Sequence, residues 1–139
     1  MSLHLTIVTP ERQIFDEQVD MVTATTREGE IGILPHHTDL VAQIVAGELR
    51  IKQGDHTINM ATGSGLLHVT GNQVSLMTDL AEQAEHIDAE KAEEARARAK
   101  AALEEKLSDE EYAATLGVLE KSLAQLKVKR RHHSTTQLG

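Results

Sequence analysis

The chain has no cysteine and no tryptophan, and Phe15 and Tyr112 are its only aromatic residues. Without cysteine there are no disulfides, no thiolate catalysis and no Cys-based zinc site, and the composition suits a reducing compartment. So few aromatic rings leave no platform on which nucleic-acid bases could stack. A net charge of −8 also argues against nucleic acid, because general binding needs a basic surface to displace phosphate counterions. Apolar runs extend only a few residues, so no segment is expected to insert in a bilayer and none reads as a secretory signal. Membrane association would then come through a protein partner. With 139 residues and 40% hydrophobic content, the chain is expected to form one domain, or a small domain with an appendage.

The main feature present is a change of periodicity near Glu85–Ile87. Before it, apolar and polar residues alternate between turn signals at Thr9-Pro10, Arg27-Glu28-Gly29, Ala46-Gly47, Gly54-Asp55, Thr62–Gly65 and Gly71-Asn72. This pattern predicts eight to ten short strands forming a sandwich or flattened barrel. After it, the residues between Asp88 and Lys127 include one glycine and no proline, and apolar residues recur at three-and-four spacing. Asp88 is placed to cap a first helix with an alanine stripe at Ala92, Ala95, Ala99 and Ala102. Ser108-Asp109-Glu110-Glu111 is a capping box opening a second helix, with Tyr112, Leu116, Leu119, Leu123 and Leu126 expected inward. The short join predicts an antiparallel pair. Residues 132–139 lack an apolar pattern and are expected to fray.

Alanines facing a few leucines make a thin core. The hairpin is therefore expected to need a surface, either the β module or a partner, and to exchange between them; a hairpin packed permanently on the sheet is the plainer alternative. The basic run Lys127, Lys129, Arg130, Arg131 either complements the negative end of the second helix or docks on an acidic protein surface. Glu94 and Arg98 have the spacing of a surface ion pair. No nucleophile elbow is present, and the adjacent pairs His36-His37 and His132-His133 do not have metal-ligand spacing, so neither a catalytic nor a metal site is expected. Gly63-Ser64-Gly65 lacks the following Lys-Ser/Thr of a phosphate loop and is read as a tight turn.

Gly29-Glu30-Ile31-Gly32-Ile33-Leu34-Pro35-His36-His37, the glycine-rich Thr62–Leu67 and Ile87-Asp88-Ala89-Glu90-Lys91-Ala92 closely resemble the epsilon subunit of bacterial F-type ATP synthase, collinearly over about residues 3–130. The resemblance implies an α+β chain: a ten-stranded β-sandwich over 1–86, an antiparallel helical hairpin over 87–131, and a disordered tail. It implies a peripheral place on the cytoplasmic face of the bacterial membrane, at the foot of the rotary motor's central stalk, between the gamma subunit and the c-subunit ring. The implied role is non-catalytic: coupling proton transport to ATP synthesis, and inhibiting ATP hydrolysis when the hairpin extends toward the alpha/beta head.

Carried over by position, Glu30 would face the c ring and His37 the gamma subunit. Lys121, Lys127, Lys129, Arg130 and Arg131 would meet acidic loops of the catalytic beta subunits. Some family members bind ATP in the folded hairpin through Ile/Leu-Asp-x-x-Arg-Ala. Here Lys91 stands in the arginine position, Glu82, Asp88 and Arg98 match other positions, and Gln125 stands where a second-helix arginine often sits. Lysine lacks the guanidinium fork, so ATP is expected at most as a weak regulatory ligand and no cofactor as a requirement. For Asp88 the plain helix-cap reading is the simpler one. Other departures are His36 for a usual glycine, Asp39 for a common proline, and Gly63-Ser64-Gly65 for adjacent glycines. A stand-alone nucleotide sensor and a coiled-coil adaptor are the rival classes; about three heptads per helix is marginal for a self-associated coil.

Overall fold

The computed structural model describes residues 2–138, with side chains as far as His132. Ten strands form two five-stranded sheets. They are β1 Leu3–Val8, β2 Gln13–Val19, β3 Met21–Thr26, β4 Gly29–Ile33, β5 Leu40–Ile44, β6 Gly47–Gln53, β7 His56–Thr62, β8 Gly65–Thr70, β9 Gln73–Thr78 and β10 Ala81–Gln83. One sheet runs β2-β1-β9-β8-β5, the other β10-β7-β6-β3-β4. All the pairings are antiparallel except β1 with β9.

The alternation seen in the sequence packs the sandwich. Leu3, Leu5 and Ile7 of β1 point inward with Leu49, Ile51, Met60, Leu67 and Leu76 from the other strands, all fully buried or nearly so. The residue pattern outlines nine of the strands. It places one strand over Val19–Ala24, whereas β2 continues to Val19 and the chain turns at Asp20, whose carboxylate accepts the Gly54 N–H at 2.7 Å. It outlines no strand at β10, which has three residues and no alternation to display.

The glycine-rich turn is a close-packing device. A Cβ on Gly63 would lie 1.9 Å from Asp79 Oδ1, and one on Gly65 would lie 2.0 Å from the Met77 carbonyl oxygen. Only glycine lets the β7–β8 connection lie this close to the strand end opposite.

A 3-10 turn, Ala84–His86, leads from β10 to the hairpin. Helix α1, Ala89–Leu103, begins on Asp88, whose Oδ1 accepts the N–H groups of Glu90 and Lys91 at 3.1 Å each. Helix α2, Asp109–Leu138, begins with the capping box: Glu111 N–H donates to Ser108 Oγ and Ser108 N–H to Glu111 Oε1, both at 3.1 Å. Where the sequence suggests a frayed tail from His132, the backbone continues as α2 to Leu138. Gly139 lies outside the described residues.

Helix α2 packs on α1 and also on β6 and β7. This double contact shifts its buried face part of the way from the stripe expected, of which Leu116, Leu119 and Leu126 are partly buried. Ser122, Ala124 and Val128 are buried, while Tyr112 and Leu123 are each 48% exposed. Small side chains let the helix backbone approach the sheet, and Val128 closes a second apolar cluster with Ala61, Ala84 and Ile87. The ion pair on the exposed side of α1 joins Arg96 to Glu93, not Arg98 to Glu94.

Candidate functional site

The seat of α2 on the second sheet is where charge concentrates. Strand register puts Glu82 of β10 opposite Ala61 of β7, and Ala61 opposite Glu48 of β6. The next strand continues the row: Thr25 Oγ1 donates to the Glu48 carbonyl at 3.0 Å, and Thr25 pairs with Glu30 of β4. Three carboxylates thus lie along one line of the outer face. The basic run of α2 crosses that line.

Three of the five basic residues singled out in the sequence hold the helix to the sandwich. Lys121 Nζ lies 2.8 Å from Asp79 Oδ2, Lys129 Nζ donates to the Ala84 carbonyl at 3.1 Å, and Arg131 Nη1 donates to Glu48 Oε1 at 2.6 Å. Lys127 and Arg130 are exposed. Arg130 borders an apolar groove between the helices, lined also by Ala89, Leu123 and Leu126.

Glu48 is a residue the sequence reading passed over. It is 2% exposed, and its Oε1 accepts from both Arg131 and Arg50 Nη1, the latter at 2.8 Å, while Oε2 is buried without a partner. Its only sequence signal is a Glu and an Arg two apart on a strand face, a common surface pattern.

Arg50 also forks onto Glu30, donating from Nη1 to Oε2 at 2.7 Å and from Nη2 to Oε1 at 3.1 Å. That hydrogen bonding holds the Glu30 carboxyl below the ordinary carboxylate range; the charges of Arg50, Arg131 and Lys127 act in the same direction, opposed by burial. Glu30 remains half exposed, beside a cleft lined by Thr26, Arg27, Ile31, Ala42 and Gln43.

His37 sits in the β4–β5 loop. Its N–H donates to the Leu34 carbonyl at 3.1 Å and its ring Nδ1 lies 2.7 Å from the Thr38 carbonyl. The loop is tied to the β8–β9 turn: His36 N–H donates to Asn72 Oδ1 at 2.8 Å, and Asp39 Oδ1 accepts from Gly71 N–H at 3.1 Å. His36 has φ 67°, the left-handed region that suits glycine, which explains why a glycine is usual there in the resembling family.

A second surface was also missed. Val8 and Met77 are Cα partners on the outer face of the first sheet, where Val41 also points outward. All three are exposed, Val41 by 64%, and Leu34 in the β4–β5 loop is exposed as well. Apolar residues at the outward phase of three alternating strands were the available signal.

Of the four residues matched to a nucleotide motif, Asp88 and Lys91 share the first turn of α1, and Arg98 follows two turns on. Glu82 lines a separate cleft with Arg12, Gln13 and His86. Burial raises the Glu82 carboxyl pKa and the Asp88 charge adds to this, while His86 and Lys129 oppose it. Among the described residues, no group of three or more His, Asp or Glu side chains could hold a metal ion, and no helix is long and apolar enough to cross a membrane.

Two family models match consecutive parts of the chain. Residues 2–84 fit the ATP synthase delta/epsilon chain β-sandwich domain, and residues 85–130 fit its long α-helix domain. An ATP synthase epsilon chain from Dehalococcoides mccartyi is 42% identical over 134 residues, covering 94% of this chain and 96% of the relative. That of Desulforamulus reducens is 37% identical over 123 residues, covering 88% and 93%. Among solved structures, a chain of the Euglena gracilis mitochondrial ATP synthase (OSCP/F1/c-ring) aligns with TM-score 0.75 and 27% identity, over 91% of this chain and 79% of that one. A chain of the Tetrahymena thermophila central stalk and c ring aligns with TM-score 0.64 at 14% identity, a likeness of fold.

Proposed function

The chain belongs to the delta/epsilon family of ATP synthase, as its bacterial F-type epsilon subunit, and from that premise we propose that it is a non-catalytic coupler carrying a hydrolysis brake. In this proposal the sandwich anchors the subunit to the gamma subunit and the c-subunit ring, as a peripheral component on the cytoplasmic face of the membrane. The exposed apolar residues Val8, Val41 and Met77 of the first sheet, with Leu34 of the His37 loop, supply a surface for gamma. The half-exposed Glu30 is directed to the c ring.

The observation that carries the brake is double use of cations. Lys121, Lys129 and Arg131 are occupied by Asp79, the Ala84 carbonyl and Glu48 while α2 is seated. The same side chains cannot hold acidic loops of the alpha/beta head at that time. Seating on the sandwich and inhibition of the head therefore exclude each other. The apolar part of the seat is shallow, being made of Ala61, Ala84, Ile87 and Val128, with Ser122 and Ala124 also buried along α2. A helix held this way can leave at modest cost, which is the property a reversible brake requires.

The test is ATP hydrolysis by the reconstituted head with gamma, comparing the full-length chain with a truncation after Ala84. Inhibition by the full-length chain alone supports the brake. Binding by both without inhibition by either leaves a structural coupler.

A further inference from the structure

Glu30, Arg50, Glu48 and Arg131 form a continuous chain of contacts from the half-exposed Glu30 of the second sheet, through the buried Glu48, to the half-exposed Arg131 of α2. Its middle is fully bonded except at one oxygen. Arg50 Nη1 gives one of its two N–H groups to Glu30 Oε2 and the other to Glu48 Oε1. Glu48 Oε1 accepts from both Arg50 and Arg131, while Oε2 of the same carboxylate is buried and unpaired. A buried carboxylate oxygen without a donor is costly, so any donor that can reach it is favoured. Arg50 already bonds the other oxygen of this carboxylate, but Glu30 holds both of its terminal nitrogens.

We propose that Arg50 and Arg131 compete for Glu48, so that a cationic group of a partner engaging Glu30 frees Arg50 to fork onto Glu48 and loosens the seat of α2. The cation takes over the Glu30 carboxylate. Arg50 then satisfies both oxygens of Glu48 in the planar two-bond geometry for which a guanidinium is suited. Arg131, which shares Oε1 with Arg50 from the outset, then meets a more fully neutralised carboxylate. Linkage makes the effect reciprocal: when α2 lifts, Arg50 transfers to Glu48 and Glu30 becomes more available to the partner. Contact at the end of the sandwich and position of the helix thereby inform one another. The relay rests on the proposed function for its use, but it is a property of the isolated chain and is tested there.

Hydrogen exchange of the full-length protein decides it, read on α2 amides 122–131, with β1 and β9 amides as the control for an intact sandwich. Glu30→Gln removes the charge and one of the two acceptors that hold Arg50, weakening that hold as the partner cation would. Residues in one hydrogen-bonded network commonly couple strongly enough that E30Q should speed α2 exchange about threefold or more. In an Arg50→Gln background, which keeps Glu48 and Arg131, E30Q should have no effect. Equal acceleration in both backgrounds would mean that Glu30 attracts Lys127 and Arg131 directly, and would overturn the relay. No acceleration in the parent chain overturns it too. So does unprotected α2 in R50Q alone, since Arg50 would then support Arg131 and not compete with it. None of these results depends on the hydrolysis assay, so the relay and the brake can fail separately.

Discussion

Val128→Ala should unseat α2 without unfolding the sandwich. Val128 is fully buried, in a cluster with Ala61, Ala84 and Ile87 that exists only where the helix meets the sandwich. The substitution removes two carbon groups at about 0.8 kcal/mol each, and a residual cavity brings the loss to about 1.5–2.5 kcal/mol. On the seated–lifted equilibrium that is a shift of roughly 10- to 70-fold. Leu123→Ala is the informative comparison. Leu123 belongs to the stripe that periodicity alone turns inward, yet it is 48% exposed, so its truncation should cost only about 1 kcal/mol. Hydrogen exchange along residues 122–131 reads both variants, with sheet amides as reference. Greater loosening by L123A than by V128A would show that the helix faces are assigned wrongly. Equal loss of protection in α2 and in β1 and β9 after V128A would show that helix and sandwich open as one unit, and there would be no separate arm.

Two further outcomes follow from individual groups. Burial raises the folded-state pKa of Glu82 above its ordinary 4.5. A raised carboxyl favours folding below its unfolded pKa and loses that contribution as pH rises through the folded value, so ionised Glu82 weakens the fold near neutrality. Glu82→Gln should therefore raise the thermal midpoint at pH 7, with the gain vanishing as pH falls toward 4.5; a constant gain across that window would refute the assignment. In isothermal titration, ATP should bind with a dissociation constant of about 1 mM or weaker, because Lys91 offers phosphate a point charge and no fork. Lys91→Arg should strengthen it, and micromolar affinity in the parent chain would contradict this.

The sandwich was legible because each strand buries one face, so that a strict alternation such as Leu3, Leu5, Ile7 has one packing solution. Both caps were legible for a similar reason: Asp88 and the Ser108–Glu111 box satisfy local N–H groups whatever lies further away. The face of α2 was not. Hydrophobic periodicity selects the strongest apolar line, but a helix between two partners divides its contacts, and the closer partner demands small side chains. Ala124 and Ser122 contribute almost nothing to such a pattern. Glu48 was hidden for another reason. Its burial comes from a helix more than eighty residues away in sequence (the Arg131 contact spans 83). Nothing local to β6 distinguishes it from an ordinary surface glutamate.

The composition of the α2 seat bears on how such a helix can be held and still released. Five leucines buried against the sheet would fix it, since each fully buried large side chain contributes about 1.5–3 kcal/mol. A seat made only of exposed ion pairs would scarcely hold it, because each contributes about 0–1 kcal/mol. The chain combines one small apolar cluster with three cationic contacts, one on the partly exposed Asp79, one on the carbonyl of the buried Ala84 and one on the buried Glu48. The apolar contribution is nearly indifferent to what other proteins offer. The cations are not: any acidic surface competes for them, and the buried carboxylate they leave behind retains Arg50. Release therefore exchanges cationic contacts for equivalent ones and exposes little apolar surface. In the proposed brake, selectivity for an acidic partner would come from Lys121, Lys129 and Arg131, while Val128 and its three neighbours would set how far the resting equilibrium lies toward the seated helix.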